Sequence, residues 1–422
     1  MSKSKSISTS KLKKITEVKA NPILDHIRID PDVFKFLHPI TLKYNSLGGA
    51  SGWLGAALTG INTCPDGVGK YQHYANGSIY WHPQTAAHEV HGLIRSRWSS
   101  LGWEKSFLGY PLTDESQCPD GVGRFNHFQG GSIYWSPATG AWELHGAIRN
   151  KYAALGWEQS FLKYPLTNES TCPDGIGRYN HFQGGSIYWS PATGAHEVHG
   201  AIRNYWASIG WEKSFLKYPI SDELPVYGGV GRISHFQTGS IYWSPTAGVR
   251  VLKEKYRVHV KCLVAPVTFT LNEQFAAMQE VYAIAGIRVD WVTTENLSLP
   301  SLEDVDVGGC TMGSTTSEQV SLFGHRNFVG ANEAVVYFVR STIPAYNGCA
   351  AYPSGRPGAV VVRSASRWTL GHELGHVLSL SHVNDNNRLM TGNGTFNITN
   401  PPPDLISSEV SSMIGSNLST AI

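Results

Sequence analysis

The tetrapeptide Ser-Ile-Tyr-Trp begins at Ser78, Ser132, Ser186 and Ser240, always 54 residues apart. A fixed period of this kind demands stacked copies of one supersecondary unit, each burying a face on its neighbour. Every copy carries Gly-x-Gly-[Arg/Lys], His-[Phe/Tyr], the Ser-Ile-Tyr-Trp run and a Pro turn. In the first three, Cys-Pro-Asp-Gly precedes and Glu-[Val/Leu]-His-Gly follows; then come Ile-Arg, an aromatic, Gly-Trp-Glu and Phe-Leu-x-Tyr-Pro. Short strands between turns, with one short helix per period, predict a β-rich module, closed or arc-shaped. Its units run over 41–92, 93–146, 147–200 and 201–250, the fourth lacking Cys-Pro-Asp and its final helix.

Alternation along each strand sends one ring of the Tyr-Trp pairs inward and the other outward. Outward rings at Trp81, Trp135, Trp189 and Trp243 suit stacking on sugars, with avidity from several weak sites; the competing reading makes them core. His73, His127, His181 and His235 are read as hydrogen-bonded structural residues. Glu104, Glu158 and Glu212 recur, which argues against a glycosidase, whose carboxylates form one unique pair. Cys64, Cys118 and Cys172 share one repeat position and read as small buried residues.

Past residue 250 the pattern changes. His372-Glu373-Leu374-Gly375-His376 places two imidazoles four residues apart on one helix face, with Glu373 beside them to take a proton from water. His382 lies beyond that helix and closes a three-histidine zinc site with an open fourth position. Met390 follows eight residues further on. Gly358–Val362 reads as a buried strand, Ser364 or Ser366 as the cap of the following helix, and Leu271 to Ala285 as an amphipathic helix. Strands are expected at Tyr256 to Thr270, Ile287 to Val292 and Ala334 to Val339, and a late helix at Leu405 to Ile414. Extended substrate is expected to pair with the strand around Ala359 to Val362 or its neighbour near Ala350. Of Cys262, Cys310 and Cys349, a Cys310–Cys349 disulfide is the favoured pairing, with one thiol left over. Asp304 and Asp306 are either a structural Ca2+ site or an exposed acidic loop.

These motifs carry two resemblances. His372 to His382 with Met390 resembles the metzincin zinc endopeptidases, and the short step to Leu389-Met390 the matrixin branch. That resemblance implies an α+β domain over 251–422, one catalytic Zn2+ on His372, His376 and His382, Glu373 as general base, Met390 as an apolar floor beneath the histidines, and a protein or peptide substrate. Ser379 stands where the metzincin pattern has Gly, at a turn that favours positive φ. No Tyr follows Met390, and no PRCGxPD-like segment offers a cysteine switch. The repeats resemble LGFP repeats, with Leu108-Gly109-Tyr110-Pro111, Leu162-Lys163-Tyr164-Pro165 and Leu216-Lys217-Tyr218-Pro219 as the namesake segments. That resemblance implies attachment to cell-wall polysaccharide.

A net charge of +2 gives no footprint for nucleic acid, and no apolar run reaches the roughly 20 residues of a membrane span. Residues 1–40 read as a basic tail; Met1 to Ala20 lack the apolar region of a secretory signal. The expected location is extracellular or at the cell envelope, reached by another export route or by injection. Two other readings stay open: a glycan-binding attachment protein with a vestigial protease domain, and a proteolytic toxin delivered by a secretion apparatus. With separate motifs and a separate periodic core, 41–250 and 251–422 are expected to fold independently.

Overall fold

The computed structural model describes residues 37–422; the tail expected over 1–40 lies almost wholly outside them. The described chain forms two compact units, one of residues 37–116 with 126–129, the other of 117–125 with 130–422.

The first unit opens on helix α1 (Pro39–Ser46), so the expected tail boundary cuts into a helix. A four-stranded antiparallel sheet follows, β1 (Asn62–Thr63), β2 (Lys70–Tyr74), β3 (Gly77–His82) and β4 (Ala86–His91) in that order, then α2 (Gly92–Leu101). Ile40 and Tyr44 of α1 stand one period before Ile94 and Trp98 of α2. Like those residues, Ile40 is fully buried, packing with Leu54, Tyr74 and Ile79. Helix α1 is therefore one more copy of the repeat helix, covering the first sheet.

The expected boundaries at 92, 146 and 200 fall where helices begin, and each helix is counted here with the sheet before it. The second repeat then supplies β5 (Ser116–Gln117), β6 (Arg124–Phe128), β7 (Gly131–Ser136), β8 (Gly140–His145) and α3 (Gly146–Leu155). The third forms the sheet β9 (Ser170–Thr171), β10 (Arg178–Phe182), β11 (Gly185–Ser190), β12 (Gly194–His199), then α4 (Gly200–Ser208). The fourth has β13 (Leu224–Val226), β14 (Gly231–Phe236), β15 (Gly239–Ser244) and β16 (Gly248–Leu252), with no helix after it. Left-handed glycines stop the repeat helices, Gly102 at φ 105° and Gly156 at φ 101°.

From the second repeat onward, cores are shared by successive repeats. Tyr134, Leu144, Ile148 and Tyr152 of the second pack with Leu162, Tyr164, Phe182 and Ile187 of the third. Alternation on β11 explains this: Tyr188 faces the core of its own repeat, with Ile202 and Trp206, while Ile187 faces back. The histidines are structural, as expected: His181 Nδ1 lies 2.7 Å from Ser186 Oγ, to which Arg203 Nε donates at 2.6 Å.

One residue, Lys253, separates β16 from β17 (Glu254–Cys262). The C-terminal region is α+β, a sheet in the order β18 (Ile287–Asn296), β17, β20 (Ala334–Val339), β23 (Gly358–Val362), β22 (Gly348–Cys349), with β24 (Ser419–Ala421) paired to β17. Strands β18, β17, β20 and β23 run parallel, and β22 is an antiparallel edge. The expected strand to Thr270 stops at Cys262, short of Pro266. Helix α5 (Leu271–Tyr282) begins with a Thr270–Glu273 capping box. Short α6 (Ser317–Leu322) precedes β20, and β19 (Asp304–Asp306) pairs with β21 (Ser341–Ile343). Helix α7 (Thr369–Val377) packs between α5 and β23, and α8 (Ser407–Gly415) comes late. The Cys310–Cys349 disulfide ties the 309–312 loop to β22; Cys262 is buried and free.

Candidate metal centre

Helix α7 is buried on nearly every side, so its polar residues are held rather than solvated. Trp368 sits at its N-cap without a side-chain cap. Ser366 does not cap it as expected; its Oγ accepts from Trp368 N at 3.3 Å and bonds the Thr395 hydroxyl. At the other end Ser379 N donates to His376 O at 2.9 Å and Leu380 N to Gly375 O at 3.0 Å, the paired bonds of a Schellman turn. Ser379 is the left-handed residue of that turn, at φ 73°. The turn thus keeps the geometry glycine favours, with a serine in it.

That turn brings His382 back over the helix. The three Nε2 atoms form a triangle: His372–His382 3.1 Å, His372–His376 3.2 Å and His376–His382 3.0 Å. His372 Nδ1 lies 2.7 Å from Leu389 O and His376 Nδ1 2.8 Å from Leu380 O. Donation to those carbonyls puts the ring proton on Nδ1 and leaves each Nε2 lone pair facing inward. Converging lone pairs repel one another and are stabilised by a cation. Zinc–nitrogen bonds of about 2.0–2.1 Å in a tetrahedron place ligand nitrogens roughly 3.3 Å apart, close to this triangle. Burial lowers the His372 pKa to about 4, against the Leu389 carbonyl, which raises it, so the ring is the neutral form a metal needs. These residues fit zinc.

Met390 is fully buried beneath the helix, and a Cβ on Gly375 would stand 2.7 Å from its sulfur. Bonds from Val383 N to Met390 O and from Gly392 N to Val383 O, both 2.9 Å, strap this turn to the segment carrying His382. Glu373 is 7% exposed, and burial raises its pKa to about 8. A cation on the histidines would lower it again. Gly348 on β22 makes room for that carboxylate: a Cβ there would lie 2.5 Å from Glu373 Cγ. A cleft of about 660 Å3 opens over the histidines, lined also by Glu373, Gly348, Tyr346 and Met312.

Other expected sites fare differently. Asp304 is taken up by Arg340 and by Ser341 Oγ at 2.6 Å, and Asp306 Oδ1 accepts from Gly308 N at 2.8 Å. The two carboxylates do not converge on a calcium. Strand β23 has partners on both sides, so Ala359 to Val362 offer no edge to substrate; β22 does. Trp81, Trp135, Trp189 and Trp243 are half-buried. Trp189 packs on the core that the second repeat shares with the third, and Trp243 on the core of the third with the fourth. Sequence reasoning missed a second aromatic series with the same period, Trp53, Phe107, Phe161 and Phe215, 44–50% exposed. Trp53 lies against His91 at 4.5 Å and Phe161 against His199 at 4.4 Å, and Lys253 Nζ lies 4.5 Å from the Phe215 ring. The repeat spacing alone, applied to every aromatic, would have found it.

The LGFP repeat family matches residues 54–106, 108–160, 162–214 and 216–258, so the chain carries four consecutive LGFP repeats. No curated protein matches the sequence. Among solved structures the chain is similar to metalloproteinase-II from Bacteroides fragilis, at 15% identity and a TM-score of 0.31, over 56% of this chain and 78% of that one. It is also similar to an archaemetzincin from Methanopyrus kandleri, at 14% identity and a TM-score of 0.28, over 38% and 93%. Likenesses of that size carry no argument about activity. Among the described residues no helix is long and apolar enough to cross a membrane.

Proposed function

We propose that the chain is a zinc-dependent endopeptidase of metzincin type, held at the cell envelope by its repeats. The observation that carries this reading is the three-nitrogen triangle with a buried carboxylate beside it and a cleft above it. His372, His376 and His382 would hold the ion, and zinc there supplies Lewis-acid polarisation of a carbonyl and acidification of water. Glu373 takes the proton from the attacking water and returns it to the leaving amine. Burial keeps that carboxylate basic, and Gly348 lets it reach the cleft. The free edge of β22 aligns an extended peptide by backbone pairing. The Cys310–Cys349 disulfide fixes the 309–312 wall opposite.

The repeats supply attachment. Exposed rings at Trp53, Phe107, Phe161 and Phe215 are better placed to meet envelope polysaccharide than the half-buried tryptophans of the Ser-Ile-Tyr-Trp runs. Metal analysis of purified protein with digestion of a broad peptide library tests the peptidase reading. About one zinc per chain on the three histidines with chelator-sensitive cleavage is expected; zinc without cleavage would favour the vestigial domain.

A further inference from the structure

The recurring Cys-Pro-Asp-Gly turn and Trp-Glu dipeptide are far apart in each repeat, and the fold brings them together. Cys118, Asp120 and Glu158 each place one donor atom within 4.8 Å of the other two, and Cys172, Asp174 and Glu212 do the same. Cys118 and Glu158 are each 2% exposed, and Glu158 Oε1 has no hydrogen-bond partner. Asp120 is held in place: its Oδ1 accepts from Val122 N at 2.9 Å, and Tyr164 Oη donates to its carboxylate at 2.7–2.8 Å. Tyr164 Oη in turn accepts from Gly123 N at 2.9 Å, so the tyrosine of the Leu-Lys-Tyr-Pro segment locks the aspartate. Asp174 is held alike by Ile176 N at 2.9 Å and Tyr218 Oη at 2.7 Å.

None of the six donor residues forms an ion pair among the described residues. Burial raises Cys118 and Cys172 to about 12 and lifts Glu158 and Glu212 above the usual carboxylate range. A buried carboxylate with a bare oxygen beside a buried thiol is costly, and a divalent cation removes that cost. We propose that the second and third repeats each carry a thiolate-containing divalent-metal site, Cys118–Asp120–Glu158 and Cys172–Asp174–Glu212. The sulfur donor selects Zn2+, Co2+ or Cd2+ over Ca2+ and Mg2+, which take oxygen ligands. Binding releases the thiol proton. These sites stand apart from the histidine triangle, which has no sulfur ligand.

The test is a Co2+ titration of the metal-free full-length chain, read by absorption. A thiolate-to-cobalt charge-transfer band in the near ultraviolet is expected. It should fall by about half in Cys118→Ser, vanish in the Cys118→Ser, Cys172→Ser double variant, and persist when His372, His376 and His382 are changed to Ala. Glu158→Gln keeps shape and thiol and is expected to weaken binding at its site about tenfold or more. No band in the parent, a band unchanged in the double serine variant, or unchanged affinity in Glu158→Gln would overturn the proposal.

Discussion

Arg288 Nη1 lies 3.2 Å from Ser240 Oγ and 3.2 Å from His235 Nδ1, the place that Arg203 holds beside Ser186 and His181 in the preceding repeat. The fourth repeat has no helix to supply that arginine. One period beyond Arg203 the chain has Arg257, but that segment is strand β17, and Arg257 pairs with Glu333 instead. The C-terminal region thus completes the last repeat, with Ala283 packed on Ile233, Tyr242 and Leu252. A chain ending at Leu252 would lack both contacts, which bears on the expectation that the two parts fold independently.

Arg288→Met should therefore destabilise the full chain by about 1–3 kcal/mol, the scale of a charged donor lost from a buried network. Residues 37–252 expressed alone should unfold at lower urea than the same segment within the full chain. Equal urea midpoints would show that the arginine and Ala283 contribute nothing to the fourth repeat.

His235 gives this junction a pH dependence. Burial, with Arg288 beside it, lowers its pKa to about 4 from 6.5. The folded state thus prefers the neutral ring: its contribution is fully present above pH 6.5 and is lost as pH falls from 6.5 through 4. His235→Gln should flatten the stability profile in that window, by no more than about 3 kcal/mol. A profile parallel to the parent would contradict the assignment.

Ser379→Gly should be neutral or stabilising by up to about 1 kcal/mol, because glycine relieves the left-handed strain at φ 73° while adding unfolded-state entropy. Zinc affinity should not change. Thermal unfolding checks this, and a loss beyond about 1 kcal/mol would mean that the serine hydroxyl makes a needed bond.

Much of the α7 site was legible because helical spacing fixes which side chains share a face: His372 and His376 needed only the four-residue step. Strands Ala334–Val339 and Gly358–Val362 were legible as uninterrupted β-branched runs, and a buried parallel strand has no other signature. The edge proposed to meet substrate was harder. Gly348–Cys349 is two residues long, and nothing local distinguishes it from a loop. Helix α1 was missed because it carries none of the strand motifs, although Ile40 and Tyr44 keep the period. For the tryptophan rings both readings stayed open, because alternation says which face a ring takes, not whether the next repeat covers that face; Trp189 and Trp243 pack on shared cores.

Gly348→Ala tests how the base is seated. The added methyl would meet Glu373 Cγ at 2.5 Å, so the carboxylate must move. Zinc on the three histidines should stay near one per chain while kcat falls about tenfold or more, the scale of a misplaced catalytic group. Parental kcat would show that Glu373 does not depend on the gap beside β22.

The most direct measurement compares zinc content and peptide hydrolysis in the parent, Glu373→Ala and His376→Ala. Glu373→Ala should keep about one zinc on the histidines and lose about 100-fold or more in kcat, since proton transfer by a positioned base is worth roughly 10²–10⁴-fold. His376→Ala should lose both the histidine-bound zinc and activity. Peptide cleavage by Glu373→Ala at the parental rate, or no cleavage by the zinc-loaded parent across a broad library, would contradict the peptidase account.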